Sequence, residues 1–168
     1  LYQEIFPDVK PNLTTWNDEQ IIVTRPVPHK DPTLVALGVQ SRVVSRRSDM
    51  IICDDIIGQD EVNSPTKADS VDTFYNKTLL PCLEPPNDKV FIVGTRWSYN
   101  DFYSKFIDSW ATNNEKGVTF KLYKAIKDDN MALWPEKYPL EILQAIKEER
   151  GRVVFATQYM NEPIQQDT

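Results

Sequence analysis

Two adjacent carboxylates, Asp54 and Asp55, directly follow the short apolar run of residues 50–53. Such a run is typical of a strand buried on both faces in the middle of a parallel sheet. Open α/β sheets place their ligands at the carboxyl ends of these strands, and phosphoryl-transfer enzymes use carboxylates there to hold magnesium and orient the attacking water. The structural alternative is an Asp pair that ends a strand and begins a turn.

A second apolar run, at residues 89–93, ends at Gly94, Thr95 and Arg96. It predicts another buried strand that delivers a small residue, a hydroxyl and a cation to the same edge of the sheet. These groups and the two carboxylates together define a candidate phosphate-handling edge.

Three arginines, Arg42, Arg46 and Arg47, lie just upstream of the first apolar run. Guanidinium groups beside an acidic phosphate site are suited to binding phosphate or a neighbouring subunit's nucleotide. The alternative is a solvated basic loop that pairs with nearby acids such as Asp49.

The elements that position these residues follow from periodicity and from turn residues. The patterns predict antiparallel strands over residues 20–25 and 33–39, a further strand over 118–126 and an extended segment over 133–136. They predict a helix from Pro65 with Ser64 as its N-cap and a second helix capped by Asn100. Two more helices are expected, one between Pro139 and Gly151 and a short one before Pro163. Alternating strands and helices predict an α/β fold with a largely parallel sheet flanked by helices, preceded by an irregular segment over residues 1–18.

The bulk composition fits one globular domain: 168 residues, 40% hydrophobic and 26% charged. A net charge of −6 argues against a surface that is basic throughout, but it leaves room for a local basic patch. Cys53, Cys82 and the lone His29 are too few for a zinc site. With only two cysteines, 29 positions apart, we expect a reducing cytosolic compartment. No apolar run approaches the roughly 20 residues of a membrane span, and we expect no secretory leader.

Five motifs occur in an order that is similar to a known family. They are residues 47–56, residues 63–66, Gly94-Thr95-Arg96-Trp97 with Asp101, Leu133-Trp134-Pro135-Glu136, and residues 158–163. From about Gln20 to Pro163 this series resembles the large subunit of tailed-phage terminases, the DNA-packaging motor. In that family an N-terminal P-loop ATPase drives DNA into the capsid, and a C-terminal metal nuclease cuts the concatemer.

The resemblance implies roles for the residues at the candidate edge, within a partial P-loop NTPase fold of the ASCE/RecA-like type. Asp54 would be the Walker B acid that holds Mg²⁺ through water, and Asp55 would stand where the family often has a glutamate that polarises the attacking water. Asp is one methylene shorter than Glu, a departure from the family that affects activation of water by Asp55 rather than magnesium binding by Asp54. Gly94-Thr95-Arg96 would be the coupling motif, in which Thr95 senses the γ-phosphate of ATP. Arg42, Arg46 or Arg47 would supply an arginine finger in trans, and the choice among them stays open.

The sequence departs from this family at the phosphate-binding loop. No glycine in the chain is followed by lysine, so G-x-x-x-x-G-K-[ST] does not occur. We therefore expect residues 19–168 to form the C-terminal half of an ATPase domain, without the nuclease domain. Alone, this half should bind nucleotide poorly, hydrolyse almost none, and expose an apolar strand edge that favours aggregation.

The resemblance also implies partners and a location. The expected partners are sister subunits in a ring, the portal protein, the small terminase subunit and double-stranded DNA, with no membrane. The expected location is the host cytoplasm, transiently at the capsid portal.

Two other classes of function stay open. One is a metal-dependent nuclease or phosphatase that uses Asp49, Asp54 and Asp55 as ligands. Against it, two-metal sites need carboxylates from several elements, whereas neighbours on a strand point to opposite faces. The other is a non-catalytic assembly protein that keeps the fold and binds partners by its surface.

Overall fold

The computed structural model describes residues 2–39, 41–43, 46–86, 88–113 and 118–164. The chain divides into two compact units. The first comprises Leu1–Ile51 and Phe74–Lys89, and the second comprises Ile52–Thr73 and Val90–Thr168. The predicted boundary at residue 18 stays a prediction.

The described residues form a mixed α/β structure. The strands are β1 (Pro11–Trp16), β2 (Gln20–Val23), β3 (Leu34–Val35), β4 (Met50–Asp54) and β5 (Lys89–Val93). The helices are α1 (Tyr2–Ile5), α2 (Gln59–Val62), α3 (Pro65–Phe74), α4 (Phe102–Asn113), α5 (Leu140–Arg150) and α6 (Arg152–Gln158). A π-helical turn (Tyr75–Leu79) and a 3₁₀ turn (Leu80–Cys82) continue α3. None of the described helices is both long and apolar enough to span a membrane.

The first unit contains an antiparallel sheet in the order β1-β2-β3. Gln20 pairs with Val35 in the antiparallel arrangement that the sequence predicts, although β3 is much shorter than residues 33–39. The segment over residues 1–18 differs from the irregular structure predicted for it, because it contains α1 and β1. Pairing with β2 stabilises β1, with Pro11 opposite Val23 and Trp16 opposite Ile21, and the local pattern of Pro and Asn does not reveal this pairing.

β4 and β5 form a two-stranded parallel sheet. The Lys89 N–H donates to the carbonyl of Asp49 at 3.0 Å, and the Asp55 N–H donates to the carbonyl of Val93 at 3.0 Å. Because both partners advance in the same direction, the strands are parallel, and this register sets Ile52 opposite Phe91.

Only one face of this parallel sheet is covered by the described residues. Cys53 is 1% exposed and Ile92 is half-buried, whereas the opposite face leaves Ile52 62%, Phe91 50% and Val93 57% exposed. The predictions that the first apolar run is buried on both faces and that the second also forms a buried strand are therefore wrong: both runs form strands, but each leaves one face exposed. Their unbroken apolar patterns match a strand with two covered faces, but the described residues supply one cover.

An apolar cluster of the second unit lies around α5 and α6. Leu143, Phe155 and Ala132 are its buried centre, and the rings of Phe155 and Tyr159 stack with centroids 5.2 Å apart. Gly151 ends α5 with a φ of 83°, a left-handed conformation that favours glycine. The predicted helices after Pro139 and before Pro163 are confirmed.

Two predicted extended segments do not form. Over residues 118–126 the structure has no strand, only an isolated bridge between Ile126 and Ala132, and the Ala125 N–H donates to the carbonyl of Tyr159 at 2.7 Å. Residues 133–136 enter a turn in which the Tyr138 N–H donates to the carbonyl of Trp134 at 2.8 Å. An alternating pattern makes a strand only where a neighbouring strand takes up its hydrogen bonds, so the parallel sheet has two described strands rather than a third from this region.

Candidate functional site

Asp54 and Asp55 lie at the carboxyl end of β4. Asp54 ends the strand on the open face, in line with Ile52, and its side chain is exposed. Asp55 has a φ of 44°, a left-handed conformation that Asp tolerates better than most residues. The sharp turn follows immediately, so the two carboxylates do not share a strand face.

This geometry fits a single magnesium ion better than a two-metal centre. Mg²⁺ keeps several of its waters and commonly takes only one or two protein carboxylates, which the exposed Asp54 can supply. Among the described residues, no three His, Cys, Asp or Glu side chains form a group that could hold a metal ion. The ligand set of the nuclease alternative, Asp49 with Asp54 and Asp55, therefore has no counterpart there.

Gly94 and Thr95 follow β5 at the same sheet edge. The register that sets Asp54 opposite Val93 brings Asp55 beside Gly94, and Thr95 is the next residue along the chain. A Cβ atom at Gly94 would overlap the hydroxyl and ring of Tyr103. Glycine is needed at this position because α4 sets Tyr103 against the backbone of the edge.

Tyr103 links this edge to α4. Its side chain is buried, and its hydroxyl is shielded from solvent. Burial, followed by the negative charge of Asp55, raises the pKa of Tyr103 to about 12, while the backbone of Ile57 acts in the opposite direction. The phenol therefore stays protonated at neutral pH, close enough to Asp55 to respond to its charge.

Replacing Tyr103 with phenylalanine is expected to flatten the loss of stability at alkaline pH. An unfolded tyrosine ionises near pH 10, so between about pH 10 and about 12 the unfolded chain binds fewer protons than the folded chain, and stability falls as pH rises. The stabilising contribution of Tyr103 is fully present below pH 10. The stability lost as pH rises reaches roughly 2 kcal/mol by pH 12. Urea unfolding at several pH values measures it. Tyr99→Phe, at an exposed tyrosine, is the control, and equal pH profiles for wild type and Tyr103→Phe would contradict the assignment.

Arg96 is held by two hydrogen bonds from different parts of the second unit. Its Nη2 donates to Ser104 Oγ at 3.0 Å, and its backbone N–H donates to Asn161 Oδ1 at 3.0 Å. Asn161 has a φ of 54° and donates through Nδ2 to the carbonyl of Tyr123 at 2.9 Å. The contacts of Arg96 thus join the end of β5 to α4 and to the segment after α6.

Asp101 organises the turn between β5 and α4. Its buried carboxylate accepts the backbone N–H groups of Trp97 at 2.7 Å, Ser98 at 3.1 Å and Ser104 at 2.8 Å. It also accepts the Ser104 hydroxyl at 2.8 Å. Asp101 therefore caps α4, and the prediction that Asn100 caps this helix is wrong.

Sequence reasoning did not assign roles to Ser104 and Asn161. The only local signal for Ser104 is an Asp three residues earlier, the spacing of an N-cap and its third helical residue. For Asn161 no local signal reveals a contact with Arg96, because 65 residues separate the two.

The three candidate finger arginines belong to the first unit. Arg42 is exposed and Arg46 is half-buried. Arg47 forms an ion pair with Glu84 at 3.3 Å, rather than with the Asp49 named in the loop alternative, and its Nη1 donates to the carbonyl of Pro81 at 3.5 Å. A role of any of the three in trans stays a prediction.

Comparisons with known proteins leave the family open: a scan against protein-family models finds no match, and a search of curated proteins finds no relative.

Proposed function

We propose that this chain is the Walker B and coupling half of a terminase-type packaging ATPase, which couples ATP hydrolysis to movement of double-stranded DNA into a viral capsid. The observation that carries the proposal is the parallel pairing of β4 with β5. This pairing brings the carboxyl ends of the two strands together through the hydrogen bond from Asp55 to Val93, so that Asp55 lies next to Gly94, which Thr95 follows in the chain. Carboxylates and a hydroxyl at this edge suit phosphoryl transfer from a magnesium nucleotide.

Each residue of the edge has a specific task in this proposal. Asp54, exposed at the strand end, would hold Mg²⁺ through water, and a bound ion there would supply positive charge for phosphoryl transfer. Asp55, turned away by its left-handed backbone, orients the attacking water, with the protonated hydroxyl of Tyr103 nearby. Thr95 follows the state of the γ-phosphate.

The hydrogen bonds of Arg96 supply a physical route for coupling. A shift at Thr95 moves the adjacent backbone N–H of Arg96, which is bonded to Asn161, and the guanidinium, which is bonded to Ser104. α4 and the segment after α6 would therefore respond to the same displacement. In the proposed motor these elements relay hydrolysis towards DNA.

The open apolar face of the parallel sheet supports the half-domain form of the proposal. Parallel sheets are normally covered on both faces, and Ile52, Phe91 and Val93 lie uncovered. We infer a P-loop NTPase fold of the ASCE type for the parent domain, in which another part of the protein covers this face and supplies the phosphate-binding loop.

The proposal extends to the assembly. The parent protein would act as a ring of identical subunits on the portal, with the small terminase subunit and double-stranded DNA, in the host cytoplasm. Arg42, Arg46 or Arg47 would reach the nucleotide of the next subunit. With a net charge of −6, DNA contact is restricted to local basic surface.

ATP hydrolysis by the protein that the complete reading frame encodes tests the proposal. We expect Mg²⁺-dependent turnover that Asp54→Asn lowers by about 100-fold, because the ion loses its anionic partner. Asp60→Asn is the matched control, since Asp60 is an exposed acid on α2 that pairs with Lys67. Absence of ATP hydrolysis, or equal turnover in wild type and Asp54→Asn, would overturn the proposal. DNA cleavage by the 168-residue chain with Mn²⁺ and no nucleotide would favour the metal nuclease instead.

A further inference from the structure

A cavity of about 570 Å³ lies within the second unit, among α5, α6, the turn after β5 and the segment after α6. Its polar lining comes from Arg96, Lys147, Arg152 and Glu162, and its aromatic lining from Tyr99 and Phe155. The volume lies within the range of small-molecule sites. Asp54, Asp55 and Thr95 do not line it, so it is separate from the proposed magnesium edge.

The cavity has a positive lining in an acidic chain. It has three cations and one carboxylate, which gives 3 − 1 = +2, whereas the whole chain has a net charge of −6. The carboxylate, Glu162, already forms an ion pair with Lys124 at 2.7 Å. Neither Lys147 nor Arg152 forms an ion pair with a residue that the structure describes. These cations are available to an anion that enters the cavity.

Arg96 adds a third positive charge to this lining. Its Nη2 bonds Ser104, and its Nε is shielded from solvent. Arg96 would therefore act on an anion in the cavity through its charge rather than through the Nε–H.

The rest of the lining suits a flat apolar group. Tyr99, three residues after Arg96, lines the cavity and is 56% exposed, so its ring is accessible to a planar ligand. Ile126, Phe155 and Met160 provide an apolar wall. A phosphate and a planar ring thus find complementary partners within one cavity.

We propose that this cavity binds a nucleoside phosphate. Its phosphates contact Lys147, Arg152 and Arg96, and its base stacks on Tyr99. Because the contacts are to cations of the protein, binding needs no magnesium. The site is independent of the proposed hydrolysis at Asp54.

Calorimetric titration of the chain with ADP in EDTA tests this site, with adenosine and pyrophosphate titrated separately. We expect ADP to bind more tightly than either part. Lys147→Gln and Arg152→Gln should each weaken ADP binding at least fivefold, and Tyr99→Ala should weaken ADP but not pyrophosphate. Arg150→Gln removes an exposed cation at the end of α5 that does not line the cavity, and it should leave the affinity unchanged.

Three results would overturn this proposal: no ADP binding in EDTA at millimolar concentration, equal weakening by Arg150→Gln and Arg152→Gln, or pyrophosphate binding as tightly as ADP. Circular dichroism of each variant checks that it folds. Because EDTA removes magnesium, this titration does not depend on the hydrolysis assay, so either proposal can fail while the other stands.

Discussion

Replacing Asp101 with alanine is expected to lower the free energy of unfolding by about 3–5 kcal/mol, since it removes a buried carboxylate that accepts from several donors. The backbone N–H groups of Trp97, Ser98 and Ser104 lose their partner. The Ser104 hydroxyl, which accepts from Arg96, keeps only the carbonyl of Ser98 as an acceptor. α4 also loses its N-cap, which alone contributes about 1 kcal/mol. The loss is a large share of the stability of a typical domain, about 5–15 kcal/mol.

Urea unfolding followed by circular dichroism measures this effect. The free energy of unfolding of Asp101→Asn should lie between those of wild type and Asp101→Ala. The reason is that the single carbonyl oxygen of Asn can accept from Ser104 or from the Trp97–Ser98 pair, but not from both. Asp69→Ala is the control, at an exposed acid of α3, and should change stability by less than about 0.5 kcal/mol. Equal effects of Asp101→Ala and Asp69→Ala would show that the cluster does not hold this turn.

Replacing Gly94 with alanine is expected to destabilise the second unit by about 3 kcal/mol, because the new methyl group would overlap a buried tyrosine. The nearest atoms belong to the hydroxyl and ring of Tyr103, whose side chain is buried and cannot move into solvent. Relief requires a shift of α4 or of the sheet edge. The same shift would displace Thr95, so a folded Gly94→Ala protein should also lose activity at the proposed site.

A double-mutant cycle with Tyr103→Leu isolates this contact. Leucine lacks the ring and hydroxyl that the methyl group meets. The double variant should therefore lose at least about 1 kcal/mol less unfolding free energy than the two single variants lose in sum. Gly38→Ala is the control, because a Cβ atom at Gly38 would lie 3.8 Å from Ser41 Oγ, an ordinary van der Waals contact. Additive effects of Gly94→Ala and Tyr103→Leu, measured by urea unfolding, would contradict the overlap.

The clearest sequence patterns predict their elements well. β5 forms over Lys89–Val93 as its apolar run predicts, and α5 ends at Gly151 as its stop signal predicts. Both depend on local chemistry. β1 forms where the sequence predicts no regular element, and the strand expected at residues 118–126 does not form. Both errors arise because a strand depends on a neighbouring strand that the local pattern does not identify.

For the candidate site, the sequence by itself determined which chemical groups are present: two carboxylates after one apolar run, and a glycine and a hydroxyl after another. Tertiary structure alone decided that the two runs pair in parallel, so that Asp55 bonds Val93 and the groups share an edge. It also directed Arg96 to Ser104 and Asn161 and left the Ile52 face of the sheet open. Periodicity reports which side chains avoid water, but contacts between residues far apart in the chain depend on the packing of whole elements, which no local spacing encodes.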